Sequence, residues 1–74
     1  MKEIAPNIIK AFSDGPWLLE ISDEGETYGS WLSHNDLGHK EFVFGAPKTQ
    51  QTLDEFVQLV LFDIDEYKEQ FDFR

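Results

Sequence analysis

Residues 17–33 form the stretch WLLEISDEGETYGSWLS, and this stretch sets the architecture of the chain. Apolar side chains alternate with polar ones over residues 17–22, which predicts a half-buried β-strand. The apolar face of this strand comprises Trp17, Leu19 and Ile21. The next four residues supply turn chemistry, in which Gly25 is free to adopt a positive φ. Residues 27–33 then predict a second strand, so that the whole stretch is expected to form an antiparallel hairpin.

The segments on either side of this hairpin predict one further strand and one helical turn. A polar connection over residues 34–40 leads into a β-rich run over residues 41–46, which Pro47 stops. The sheet is therefore expected to be a three-stranded antiparallel meander. On the N-terminal side, residues 4–12 place apolar side chains at a helical spacing, with Pro6 tolerable in a first turn, which predicts a short helical turn.

The C-terminal third of the chain predicts one long helix. Thr52 and Glu55 match the capping box, and apolar residues keep an i, i+3, i+4, i+7 rhythm from Leu53 to Phe71. This helix is expected to pack on one face of the sheet, since a three-stranded sheet cannot leave an apolar face in water. The prediction is thus a single α+β domain over residues 1–74. Its expected core consists of Trp17, Leu19, Ile21, Phe42, Phe44, Leu53, Phe56, Val57, Val60, Ile64, Tyr67 and Phe71.

Composition narrows the function classes. The 74 residues include 6 Lys and Arg against 15 Asp and Glu, for a net charge of −9. Hydrophobic residues make up 41% of the chain, which is too rich for a disordered acidic tail. Direct nucleic-acid binding is disfavoured because no Lys or Arg lies between Lys10 and Lys40 or between Lys48 and Lys68. The same charge disfavours an anionic membrane surface as a partner.

The chain offers little for catalysis or for a cofactor. It has no cysteine, which excludes a disulfide framework and a thiolate zinc site, and its serines and glycines form no recognisable catalytic or phosphate-binding motif. Zinc accepts His and Asp ligands, but the spacing of His34, Asp36 and His39 fits no zinc signature. We therefore expect no enzyme, no metal and no cofactor. With no apolar run of signal-peptide or membrane-span length, a cytoplasmic location in the host cell is expected.

Two large apolar residues of the helix miss its core stripe. At 100° per residue, Phe62 lies nearly opposite the stripe and Leu59 lies close beside it. Each is either a stray surface hydrophobe, a residue buried under the N-terminal segment or under the tail near Phe73, or an anchor for a partner. An aromatic side chain ringed by charge is typical of the third case.

Acidic residues form two groups along the chain. The helix group includes Glu69 and Asp72, whose place in the last turn is unfavourable for the helix dipole. The hairpin group surrounds Gly25. Like charges this close weaken a fold, so these groups suggest a basic partner. The predicted partner-binding residues are Asp23, Glu24, Glu26, Leu59, Phe62, Asp63, Asp65, Glu66, Glu69 and Asp72.

In size, acidity, absence of cysteine and exposed aromatics, the chain resembles the DNA-mimicking inhibitors of phages and mobile elements, such as uracil-DNA glycosylase inhibitors and several anti-CRISPR proteins. The resemblance is one of type over the whole chain, without a motif from which a site residue can be carried over. It implies a non-catalytic inhibitor that occupies a basic nucleic-acid-binding surface of another protein.

Two other interpretations stay open. The protein could be a small structural or accessory protein that forms a homodimer through Leu59 and Phe62 or through an exposed strand edge. Aromatic residues could also form a platform on which the bases of single-stranded nucleic acid stack. We more strongly expect them in the core, because they have no basic neighbours. These aromatics are Trp17, Tyr28, Trp31, Phe42 and Phe44.

Overall fold

The computed structural model describes residues 7–36 and 39–71. Its elements are β1 (Ile8–Asp14), β2 (Trp17–Asp23), β3 (Thr27–His34), β4 (Lys40–Pro47), a 3₁₀ turn (Lys48–Gln50), α1 (Leu53–Phe62) and α2 (Ile64–Gln70). The strands form one antiparallel meander in the order β1-β2-β3-β4. The predicted α+β class is correct, whereas the prediction of three strands and one long helix is wrong.

The fourth strand, β1, replaces the predicted N-terminal helical turn. Asp14 pairs with Trp17 across a two-residue turn of Gly15 and Pro16, in which Gly15 has φ +60°. Glycine with a positive φ at the first central position is what a type II′ hairpin turn requires. Pairing with β2 places Phe12 opposite Leu19, so strand pairing outweighs the helical spacing of the apolar residues. Residues 4–6 of the predicted turn lie outside the described residues.

The predicted hairpin over residues 17–33 is confirmed as β2 and β3. Leu19 pairs with Leu32, and the alternation of the strand carries both side chains to the same buried face. Gly25 in the turn has φ +91° and donates its backbone N–H to Oδ1 of Asp23 at 3.1 Å. The turn therefore uses the positive φ and the Asp acceptor that its sequence offers.

A β-bulge in β4 overturns one predicted core position. Ser30 pairs with Phe44 while the next residue, Trp31, pairs with Phe42, so Val43 is an additional residue in β4. The insertion sends Phe42 and Phe44 to opposite faces of the sheet, although strict alternation would place them on the same face. Phe42 is 51% exposed, and its predicted place in the core is wrong.

Both helices pack on one face of the sheet, where the core lies. Leu32 is fully buried there and was missing from the predicted core. Phe44, Leu53, Ile64 and Tyr67 pack partly buried against this cluster, as does Trp17 at its end. The fully or nearly fully buried apolar residues are Leu19, Ile21, Leu32, Phe56, Val57, Val60 and Phe71.

The helical segment begins as predicted and is interrupted at Asp63. Thr52 Oγ1 accepts from the Glu55 N–H at 3.2 Å and the Glu55 carboxylate accepts from the Thr52 N–H at 2.9 Å, which confirms the capping box. Asp63 has φ −105° and ψ 14°, and its N–H donates to the Val60 carbonyl three residues back. Asp is a poor residue for a helix interior, because its side chain competes for backbone groups. The chain therefore forms two short helices instead of one.

Candidate functional site

The outer surface of α1 carries the most exposed large apolar side chain among the described residues. Phe62 is 87% exposed, and Leu59, one turn earlier, is 48% exposed. Phe62 faces away from the sheet, nearly opposite the buried Val60, whereas Leu59 lies on the flank of the helix between Phe62 and the buried Phe56. We call Leu59 and Phe62 the helix patch.

Carboxylates flank the helix patch on both sides. Glu55 lies one turn before Leu59, and the acids that follow the patch are all exposed. These acids are Asp63, Asp65, Glu66 and Glu69. The pKa of Tyr67 is raised by burial of its phenol and further by the nearby Asp63 and Glu66 carboxylates. Asp72 lies outside the described residues.

The cation of α2 does not neutralise this surface. Lys68 Nζ donates to Asp14 Oδ2 at 2.6 Å and lies 4.0 Å from Asp65 Oδ1. Its ammonium group also lies 5.9 Å from the centroid of the Trp17 ring. Lys68 is thus directed toward β1 and the core, and leaves the outer side of α2 acidic.

A shallow hollow of about 460 Å³ adjoins the helix patch at the start of α1. Amide side chains dominate its wall, so it offers both donors and acceptors beside an apolar residue. Its lining residues are Gln50, Gln51, Glu55, Gln58 and Leu59. The hollow extends the patch along the helix and gives a partner more than a flat surface to contact.

The hairpin acids are partly used within the fold. Asp23 Oδ1 accepts from Lys48 Nζ at 2.7 Å, and this hydrogen bond, together with that from the Gly25 N–H, lowers the pKa of Asp23. Glu24 Oε2 accepts from the Ser22 hydroxyl at 2.7 Å. The side chain of Glu26 is exposed. Two of the three predicted contact acids of this turn therefore have structural partners.

The two acidic groups lie near opposite ends of the sheet. The hairpin turn adjoins the start of α1, since the Lys48 N–H donates to the Glu26 carbonyl at 2.9 Å. Residue Phe71, which follows α2, packs against Trp17 at the other end of β2, with ring centroids 5.2 Å apart. The seven residues of β2 span about 20 Å. The fold therefore does not join the predicted contact residues into one site, and the helix patch forms a site only with the acids of α1 and α2.

The sheet face away from the helices, which we call the open face, was missed by sequence reasoning. Trp31 and Phe42 meet there edge to face, with ring centroids 5.1 Å apart. Trp31 Nε1 donates to the Ser22 hydroxyl oxygen at 3.0 Å, which fixes the orientation of the indole. Both aromatics therefore lie on the side of the sheet opposite the core, contrary to their expected place in it. The available signal was that Trp31 and the buried Leu32 are adjacent in a strand, so both faces of β3 carry a large apolar residue.

The histidine segment does not assemble a metal site within residues 7–36 and 39–71, where no three His, Asp or Glu side chains converge. His34 Nδ1 accepts from the Asp36 N–H at 3.1 Å. His39 stacks on Phe71 with ring centroids 5.3 Å apart, and its Nε2 lies 3.2 Å from Glu41 Oε2. Both side chains therefore have structural contacts.

The helices in the described part of the chain are too short and too polar to cross a membrane. No protein-family model, curated protein or solved structure matches the chain.

Proposed function

We propose that the protein is a non-catalytic acidic binding domain that occupies a basic nucleic-acid-binding surface of a partner, as DNA-mimic and anti-CRISPR inhibitors do. The observation that carries this proposal is the position of Phe62, which is 87% exposed and stands among carboxylates on α1 and α2. The protein acts in the cytoplasm of the host cell, where such partners handle nucleic acid.

The apolar part of the surface supplies affinity. Transfer of a Phe side chain from water into an interface is worth about 1.5–3 kcal/mol. Leu59 and the adjoining hollow widen the contact around this anchor. Buried aromatics surrounded by polar residues are the usual centres of protein interfaces.

The acidic part selects the partner. A groove that binds phosphates presents Arg and Lys, which Glu55, Asp63 and Glu66 attract and orient. An Arg side chain suits this site in particular, because its guanidinium group pairs with carboxylates and also stacks on an aromatic face such as that of Phe62. A partner held in this way can no longer use those cations for nucleic acid.

The same acids oppose the alternative of a dimer through the helix patch. In a two-fold dimer the patch of one copy meets the same patch of the other, so the flanking carboxylates face their own copies. Repulsion of this kind is absent when the partner is basic.

A pull-down from host cells tests the proposal. The wild-type protein is expected to retain a basic partner at low salt and release it at high salt, because the attraction is screened. Phe62→Ala and the variant Asp65→Asn/Glu66→Gln/Glu69→Gln are expected to lose that partner, whereas the control Glu26→Gln at the far hairpin keeps it. The purified partner must then lose binding to a labelled duplex when the wild-type protein is added, measured by fluorescence anisotropy. Equal recovery by all variants, or unchanged duplex binding, would refute the proposal.

A further inference from the structure

We propose that the open face is a homodimer interface, on which a second copy of this chain packs its own open face. This surface is separate from the helix patch, and the inference does not rest on the proposed function.

Within residues 7–36 and 39–71 both helices pack on the other side of the sheet, and the open face is unusually apolar for a face that no helix of this part of the chain covers. Antiparallel sheets with one solvated face normally turn polar side chains to water. Here the strand register places four large apolar residues on that side, none of them in the buried core. They are Ile8, Leu18, Trp31 and Phe42.

The open face is also nearly neutral on a chain of net charge −9. By strand register and side-chain position, the charged groups found there among the described residues are Glu20, Glu24 and Lys40. Lys40 Nζ pairs with Glu20 Oε1 at 2.6 Å, so one carboxylate is left without a cation. A second copy can therefore approach this face with far less repulsion than it meets at the acidic helices, which is why we assign the face to a second copy.

The aromatic pair at the centre of the face is held in place before any partner arrives. Ser22 accepts from the Trp31 indole and donates to Glu24, which fixes the Trp31 ring. The Phe42 ring lies over Gly45, where a Cβ would come within 2.7 Å of Cζ. The missing side chain lets the Phe42 ring lie against the sheet.

The size of the face fits a small specific interface. Four strands of seven or eight residues give a projected area of about 440 Å², from a rise of about 3.3 Å per residue and about 4.8 Å between strands. Two copies then bury about 900 Å² before the relief of the side chains is counted, which is below the about 1,200 Å² of stable interfaces and fits a weak dimer that forms at high protein concentration. The product is a β-sandwich with the acidic helices on its two outer sides.

Sedimentation velocity over micromolar to millimolar protein tests the dimer. The wild-type protein is expected to sediment at twice the chain mass of 8.6 kDa at the upper concentrations. Phe42→Lys places an ammonium group at the centre of the face and is expected to sediment as a monomer. Ala11→Lys, at an exposed position of β1 that pairs with Glu20, is expected to raise the dissociation constant at least tenfold. The matched control Phe62→Lys makes the same change on the helix patch and is expected to dimerise like the wild type.

Thermal melts by circular dichroism accompany each variant. If Phe42→Lys has lost its cooperative melt, Ala11→Lys alone decides the outcome. A wild-type protein that stays monomeric at millimolar concentration would overturn the proposal. So would a dissociation constant that is unchanged from the wild type in a folded Phe42→Lys or in a folded Ala11→Lys, or a dimer that is lost in Phe62→Lys. None of these results touches the pull-down, so the two proposals fail separately.

Discussion

The ammonium group of Lys68 lies 2.6 Å from Oδ2 of Asp14, although the two residues are 54 positions apart in the chain. The contact ties α2 to the end of the edge strand β1. The Lys68 side chain is only 17% exposed, whereas that of Asp14 is 78% exposed. The aliphatic stem of Lys68 is therefore packed in the protein while its ion pair lies at the surface.

This difference predicts unequal effects of removing the two partners. Asp14→Asn is expected to lower the free energy of unfolding by less than about 1 kcal/mol, as exposed ion pairs generally do. Lys68→Ala is expected to lower it by about 1–2 kcal/mol, because the stem also loses its packing beside Trp17. Urea denaturation measures both values. Equal losses would show that the ion pair, and not the stem, holds α2.

Two leucines form a matched test of the core. Leu32→Ala is expected to cost about 2–5 kcal/mol, since the side chain is fully buried and its removal leaves a cavity. Leu59→Ala removes the same atoms from an exposed helix position and is expected to cost less than about 0.5 kcal/mol. The measurement is again urea denaturation at neutral pH. A large loss for Leu59→Ala would mean that the helix patch is covered within the chain.

Asp23 gives the fold a defined response to acid. Its pKa is lowered from the ordinary value of 3.8 by the hydrogen bond from Lys48 and by that from the Gly25 N–H. The folded state thus favours the carboxylate. The Asp23 carboxylate therefore contributes its full stabilisation of the fold above pH 3.8. This contribution is lost as the pH falls below 3.8 and passes through the lower pKa of Asp23 in the folded state.

The melting temperature of Asp23→Asn is therefore expected to fall less steeply than that of the wild type as the pH drops over this acid range. The control Glu26→Gln removes the same charge from the same turn without touching the Lys48 side chain. Melting curves from neutral to strongly acid pH compare the two variants. An Asp23→Asn curve parallel to that of the wild type would contradict the assignment.

A side chain at Gly45 is expected to displace the Phe42 ring. A Cβ at this position would lie 2.7 Å from Phe42 Cζ and 3.2 Å from the Tyr28 carbonyl oxygen. Because the ring is 51% exposed and can move, Gly45→Ala should cost only about 1 kcal/mol, and it should alter the near-ultraviolet circular dichroism of Trp31. In a double-mutant cycle with Phe42→Ala, the double variant should lose less free energy of unfolding than the two single variants lose together, because removal of the ring relieves the clash. Additive losses would show that the ring does not lie over Gly45.

Local patterns predicted those parts of the fold that depend on neighbours in sequence. The hairpin over residues 17–33 was predictable because its alternation and its turn glycine are adjacent. The capping box of Thr52 and Glu55 involves two residues three positions apart, and it formed as expected. Helical geometry placed Phe62 opposite the core stripe, and α1 keeps its register up to that residue, whereas the sequence left open whether another segment would bury it.

The errors concern features that depend on distant partners. Residues 4–12 fit a helical spacing, whereas residues 8–14 form a strand because they pair with β2. The separation of the two acidic groups could not be predicted either, because it depends on tertiary packing. The start of α1 lies near one end of β2, and the end of α2 lies near the other.

The bulge at Val43 lets a short stretch of β4 contribute an aromatic ring to each face of the sheet. Deletion of Val43 would make Phe42 and Phe44 neighbours in the strand, and neighbouring strand residues also point to opposite faces, so the pairs with Trp31 and Ser30 would both be kept. In most strands the deletion of one residue reverses the faces of all the residues beyond it. At this position it would instead leave both surfaces of the sheet as they are.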